Sequence, residues 1–372
     1  MEIDIKEYLI DKGLVKDVDF IVVYLELLKV IQSYSTNEHN YKDFNSFLID
    51  QMSKIIDLSS SFDHPVYIVY EEYVDEMILD FIHLWITNTA CNRDNIVIFT
   101  ETGGLNDYYV NEYCRFHRTR PLHFVETPQS WGNRKSNQST LKKFANRKNT
   151  KQIEYVYNYY GGTHDAAYTN TLAYIMLYNN KIGHCERLFH FCNKTVIYNG
   201  LESLTEFNNV EFINSVMNSY DELYNVWNTQ KDLFVPGGVS QKNELYQISI
   251  DNKCFGSVIR ESGMLPNIGF TTTSEKTGRC IINKNVFLPL NGQNMKWYTD
   301  LGYWLPDIVN YDYLKETNVL KRFCSLNEEL LRLSSIDLQD YYNENFNNIL
   351  HNQTNLLYNN WNRIAKRIDE VL

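Results

Sequence analysis

The short run Gly161-Gly162-Thr163-His164-Asp165, between YVYNYY and AAYTNTLAYIM, is the best candidate site in the chain. Two glycines let a backbone approach a ligand without Cβ hindrance, and the Thr163 hydroxyl can cap a helix. The free N–H groups of a first helical turn attract anions, which makes Gly161, Gly162 and Thr163 a candidate phosphate site. Neither GxGxxG nor GxxxxGK[ST] is present, so the same residues also describe an ordinary strand-to-helix joint with a Thr cap. His164 is a candidate general base, as are Glu101 and Glu126, which follow the apolar runs IVIFT and LHFV. Neighbouring helical residues do not face the same way, so His164 and Asp165 are not a dyad. Asp165 there complements the helix dipole.

A second cluster, HCERLFHFC, brings His184, Cys185, His190 and Cys192 together. Structural zinc sites combine two ligand pairs with characteristic spacing, and no second pair lies nearby. The sequence therefore predicts no metal, and it points to no cofactor.

Charge is the third feature. Residues 115–151 carry Arg115, Arg118, Arg120, Arg134, Lys135, Lys142, Lys143, Arg147, Lys148 and Lys151 against one acid, Glu126. That local charge of +9 in a chain of net charge −11 leaves −20 on the remainder, a segregation that produces a directed field. Phe116, Phe124, Trp131 and Phe144 are interleaved with the cations. Cations contact phosphates and rings stack on bases, so the expected anion-binding set includes Arg134, Lys135, Lys142, Lys143, Arg147, Lys148 and Lys151, with Trp131 and Phe144 stacking. The polar, aperiodic part, residues 128–151, reads as an exposed loop, and loops of that length are functional or disordered.

These residues need a scaffold, and the apolar patterning predicts an α/β one. VYIVY, IVIFT, LHFV and IEYVY are short β-rich runs that alternate with helical stretches, the signature of βαβ units in a mixed, mainly parallel sheet over residues 63–230. TVIY at 195–198 reads as a fifth strand. Residues 17–35 and 41–62 read as helical, giving a helical N-terminal layer over 1–62. Glycines punctuate a β-rich region around 237–304, expected to be an antiparallel subdomain within 231–310. Residues 311–372 read as a helical C-terminal segment, with 336–372 fitting one long helix whose Asn-rich face is open to pairing with another subunit.

Composition bounds the function. At 372 residues, more than one core is expected. The 43 Asn and 28 Tyr against 6 Ala follow the base composition of an AT-rich genome, such as that of a virus or phage. Seven cysteines without a C-x-x-C pair point to a reducing, intracellular and cytoplasmic setting, or a virion, and no apolar window is long enough for a membrane span. The reading that follows is a non-enzymatic, nucleoprotein-like protein that binds nucleic acid or another polyanion through the basic, aromatic loop and oligomerises through its helical termini. The alternative is a nucleotide- or nucleotide-sugar-dependent transferase with its phosphate site at Gly161–Thr163.

Overall fold

In a computed structural model of the chain, the structure describes residues 5–11, 21–25, 30, 43–70, 74, 76–100, 102–127, 151–160, 167–186, 192–203, 210–230, 252–259, 275–290 and 295–371. The protein is mixed α/β and divides into two compact units. One comprises residues 1–142, 268–275 and 354–372; the other comprises 143–267 and 276–353.

The first unit contains α1 (Ile5–Asp11), β1 (Ile21–Leu25), α2 (Phe44–Ile55), β2 (Val66–Tyr70), α3 (Glu76–Asn88) and β3 (Ile96–Thr100). It continues with α4 (Leu105–Tyr108), a π-helical turn (Tyr109–Tyr113), α5 (Cys114–His117) and β4 (His123–Glu126). All four strands are parallel and stand in chain order, with Ile21 opposite Val66, Val66 opposite Ile96, and Val97 opposite His123. Right-handed crossovers between strands added always on the same side place every connecting helix on one face of the sheet.

The side chains agree. Val66, Ile68, Tyr70, Ile96, Ile98 and Phe124 pack with residues of α2, α3 and the 105–117 helix. The alternate positions Tyr67, Val69, Phe99 and Val125 pack with Tyr8 and Leu9 of α1 and with Ile364 and Ile368. A strand with period two thus feeds two separate cores.

The second unit has β5 (Tyr155–Tyr160), α6 (Ala167–Asn180), β6 (His184–Glu186), α7 (Lys194–Ser203), α8 (Val210–Gln230) and β7 (Cys254–Ile259). After these come α9 (Glu275–Ile282), β8 (Val286–Pro289), α10 (Met295–Asp300), α11 (Val319–Leu333), α12 (Leu338–Glu344) and α13 (Phe346–Thr354). The chain ends in α14 (Asn360–Val371), which belongs to the first unit. The second sheet is also wholly parallel, in the order β6-β5-β7-β8.

Several expectations change. The run around 153–157 is a strand, but it opens a second sheet instead of completing the first. Within 17–35, the residues IVVYL form β1, since a β-branched run suits a pleat better than a helix. Residues 195–198 are helical: the Asn193 side chain accepts the Thr195 N–H at 2.8 Å, and Ile197 and Leu201, four apart, are both buried. The two strands described within 237–304 are parallel, joined through α9 as a βαβ crossover, and not antiparallel.

The single long helix over 336–372 is broken. Asp337 caps α12, Asn345 ends it, and a π-helical turn at Asn355–Asn359 precedes α14. Asn side chains compete for backbone partners and so favour such ends. The apolar stripe of α14 lies against the first sheet, and Tyr8 bonds Asp369 at 2.8 Å. No helix among the described residues is long and apolar enough to cross a membrane.

Candidate nucleic-acid interface

The described head of the basic run forms a corner of the first unit. The 105–117 helix ends with Arg118 in the left-handed conformation (φ 51°), and the chain turns through Arg120 and Pro121 into β4. Arg115, Phe116, His117, Arg118, Arg120 and His123 are all exposed there, Phe116 to 84%. Arg120 pairs with Asp94 at 2.5 Å, and Arg93 donates to the Arg120 carbonyl at 2.8 Å, so two turns are tied together. Arg115 and Arg118 have no ion-pair partner among the described residues, and Glu112 on the preceding turn pairs with neither.

Behind this corner an aromatic ladder runs into the core. Phe116 meets the His117 ring edge-on at 5.0 Å, and His117 stacks on Tyr113 at 4.3 Å. Tyr113 stacks on Tyr109 at 5.7 Å, which meets Phe124 of β4 at 4.9 Å. The spacing 109, 113, 117 gives one helical face, and that was the available sequence signal. The Tyr113 hydroxyl donates to Asp80 at 2.6 Å.

His83 of α3 is buried against the ladder. Its Nε2 lies 2.7 Å from the Tyr109 hydroxyl and its Nδ1 3.2 Å from Thr119 Oγ1. Tyr109 accepts the Leu122 N–H at 2.8 Å, leaving its own proton for Nε2. A neutral ring protonated at Nδ1 satisfies every group. Burial pushes the His83 imidazole down to about 4, helped by the Arg93 guanidinium and opposed by Asp80.

Lys151 leaves the anion-binding set. It is 7% exposed, and its amine donates to the Lys284 carbonyl at 3.2 Å and to Asn285 Oδ1, above the Tyr342 ring at 5.4 Å. Asn285 in turn donates to Ser257 at 2.8 Å, and Gln339 brackets the strand entry through the Lys151 carbonyl and the Ile153 N–H. This lysine is an internal anchor of the second unit. Arg134, Lys135, Lys142, Lys143, Arg147, Lys148, Trp131 and Phe144 lie outside the described residues, as do Glu101, Gly161, Gly162, Thr163 and His164.

Glu126 is described. It ends β4 opposite Thr100, buried, where the Thr127 N–H donates to the Thr100 carbonyl at 2.7 Å. In open parallel sheets a ligand crevice opens at the point where strand order reverses. The described strands of the first sheet, in the order β1-β2-β3-β4, show no reversal, so Glu126 ends the last of them without such a crevice among the described residues. The second sheet has one: the chain leaves β5 toward β6 and leaves β7 toward β8, so the switch point falls between β5 and β7, beyond the paired ends Tyr160 and Ile259. The sequence that leaves Tyr160 is Gly161-Gly162-Thr163.

Among the described residues no group of His, Cys, Asp and Glu is placed to hold a metal ion. A recess lined by Ile281, Asn285, Phe287, Trp304 and Asn352 measures about 10 Å³, room for one water at most. Comparison with protein-family models, curated proteins and solved structures returned no match.

Proposed function

We propose that the protein is a non-enzymatic, nucleoprotein-like binder of nucleic acid or a similar polyanion, in keeping with the AT-rich composition of a virus or phage, and that the basic run from Arg115 to Lys148 carries the contact. The observation behind this reading is the corner at the head of the run, where Arg115 and Arg118 stand exposed beside Phe116. The acidic remainder of the chain repels phosphate, so binding is local and steeply salt-dependent. Replacing Lys142, Lys143, Arg147 and Lys148 together with Gln should weaken binding and flatten the salt dependence by about one unit per lost phosphate contact. Equal affinity of this variant and the parent at low salt would sink the reading. Assembly through the helical termini uses their outer faces, since the apolar stripe of α14 is already buried.

A second reading has its own observation, the switch point between β5 and β7 directly before Gly161. It supports a nucleotide- or nucleotide-sugar-dependent transferase, with phosphate at Gly161–Thr163 and His164 as base. Replacing Gly161 and Gly162 with Ala should then abolish the rise in melting temperature that a nucleotide produces, while polymer binding stays intact. If no nucleotide raises the melting temperature of the parent protein, this reading falls.

A further inference from the structure

We infer that the corner at Arg115, Phe116 and Arg118 selects unpaired nucleic acid, with the Phe116 ring as a platform for one base and the two guanidinium groups on the flanking phosphates. The inference rests on the polyanion reading above and names the class of nucleic acid it takes. A single exposed ring is unremarkable on any protein surface. Three features distinguish this one.

The first is exposure: at 84% the ring offers a face to solvent, and a base in an unpaired strand has a face to match it. Inside a duplex the base faces are covered by their neighbours, so an isolated ring has no partner there. The second is fixation. Next to the ring, His117 stacks on Tyr113 and Asp80 accepts from Tyr113, so the helical turn that carries Phe116 is tied to the core while the ring itself stays open to solvent. The third is charge. Arg115 precedes the ring and Arg118 follows it by two residues, and neither is engaged by a carboxylate among the described residues. Arg120, by contrast, is paired with Asp94, which leaves two cations and one ring. That set is too small to read a major groove but sufficient for a nucleotide and its phosphates.

The test uses the full chain and a labelled, structure-free oligonucleotide, as a single strand and as a duplex, with binding followed by fluorescence anisotropy over a salt series. The parent should prefer the single strand. Phe116→Ala should weaken single-strand binding by about 5- to 100-fold at unchanged melting temperature, and Phe116→Trp should retain it. Arg115→Gln with Arg118→Gln should lower the salt slope by about 0.7 for each lost contact. Equal binding by Phe116→Ala and the parent, or equal affinity for duplex and single strand, overturns the inference. If the fourfold Gln variant is weakened while Phe116→Ala is silent, only the stacking inference falls. If the parent binds no strand at all, both fall.

Discussion

His83 is a titratable side chain with a defined job, and its job makes the first unit sensitive to acid. Both ring nitrogens are engaged, by Tyr109 and Thr119, in a way that needs one proton and not two. Burial holds the folded imidazole near 4, below the ordinary 6.5 of an unfolded chain. Between those values the unfolded state binds more protons, so stability rises with pH across the window. The contribution is therefore full above about pH 6.5 and is lost as pH falls toward about 4, by up to about 3 kcal/mol. Arg93 and His117 oppose protonation and Asp80 favours it; all three remain in a His83→Gln variant. That variant loses ring packing and should be less stable at neutral pH. Urea denaturation should show the gap from the parent narrowing as pH drops from 6.5 to 4, and a gap independent of pH would show that His83 is not held neutral.

At the scale of elements, the helix ends break a common rule in a consistent way. The non-glycine residues with positive φ among the described residues are Arg118, Lys181 and Lys284, each just past a helix. Gly302 shows the usual choice, with Tyr303 N–H returning to the Tyr298 carbonyl at 3.0 Å. Thr119 to Cys114 and Asn285 to Cys280 repeat that closure at 3.0 Å around Arg118 and Lys284. A cation suits the negative end of a helix dipole, but a side chain in the left-handed region costs about 1 kcal/mol. Arg118→Gly and Lys181→Gly should each therefore stabilise by about 0.5–1 kcal/mol in thermal or urea unfolding. Arg118→Gly should at the same time weaken polyanion binding, which Lys181→Gly should not. A destabilised Lys181→Gly would mean that its side chain makes a contact worth more than the strain. Such local chemistry also decided which elements the sequence revealed. VYIVY and IVIFT were legible because they are short β-branched runs followed by helices. TVIY is equally β-branched, yet Asn193 in front of it starts a helix, and a cap outweighs propensity over four residues. Asn-rich helix ends hid the breaks in the C-terminal segment for the same reason.

At the scale of the molecule, the sequence signalled more than one core and the structure provides two units, each around its own parallel sheet. What composition and periodicity could not supply was pairing: nothing local says that IEYVY begins a new sheet, because strand partners are chosen by packing over long separations. The candidate residues shared that limit. Charge density marked the basic run, but only burial separated Lys151, an internal anchor, from Arg115 and Arg118, which face solvent. The switch point between β5 and β7 was likewise invisible until strand order was known. Two sheets with two cores carry a thermodynamic consequence. Ile98 sits fully buried in the core of the first unit and Leu326 in that of the second. Ile98→Ala and Leu326→Ala should each cost about 2–5 kcal/mol, through lost transfer energy and the cavity left behind. If the units unfold separately, the two variants move different transitions: Ile98→Ala should lower only the one that carries the His83 acid sensitivity, and Leu326→Ala only the other. Calorimetry at pH 7 and pH 5 on the parent and both variants resolves this. A single transition shifted alike by both substitutions would mean that the units form one cooperative structure.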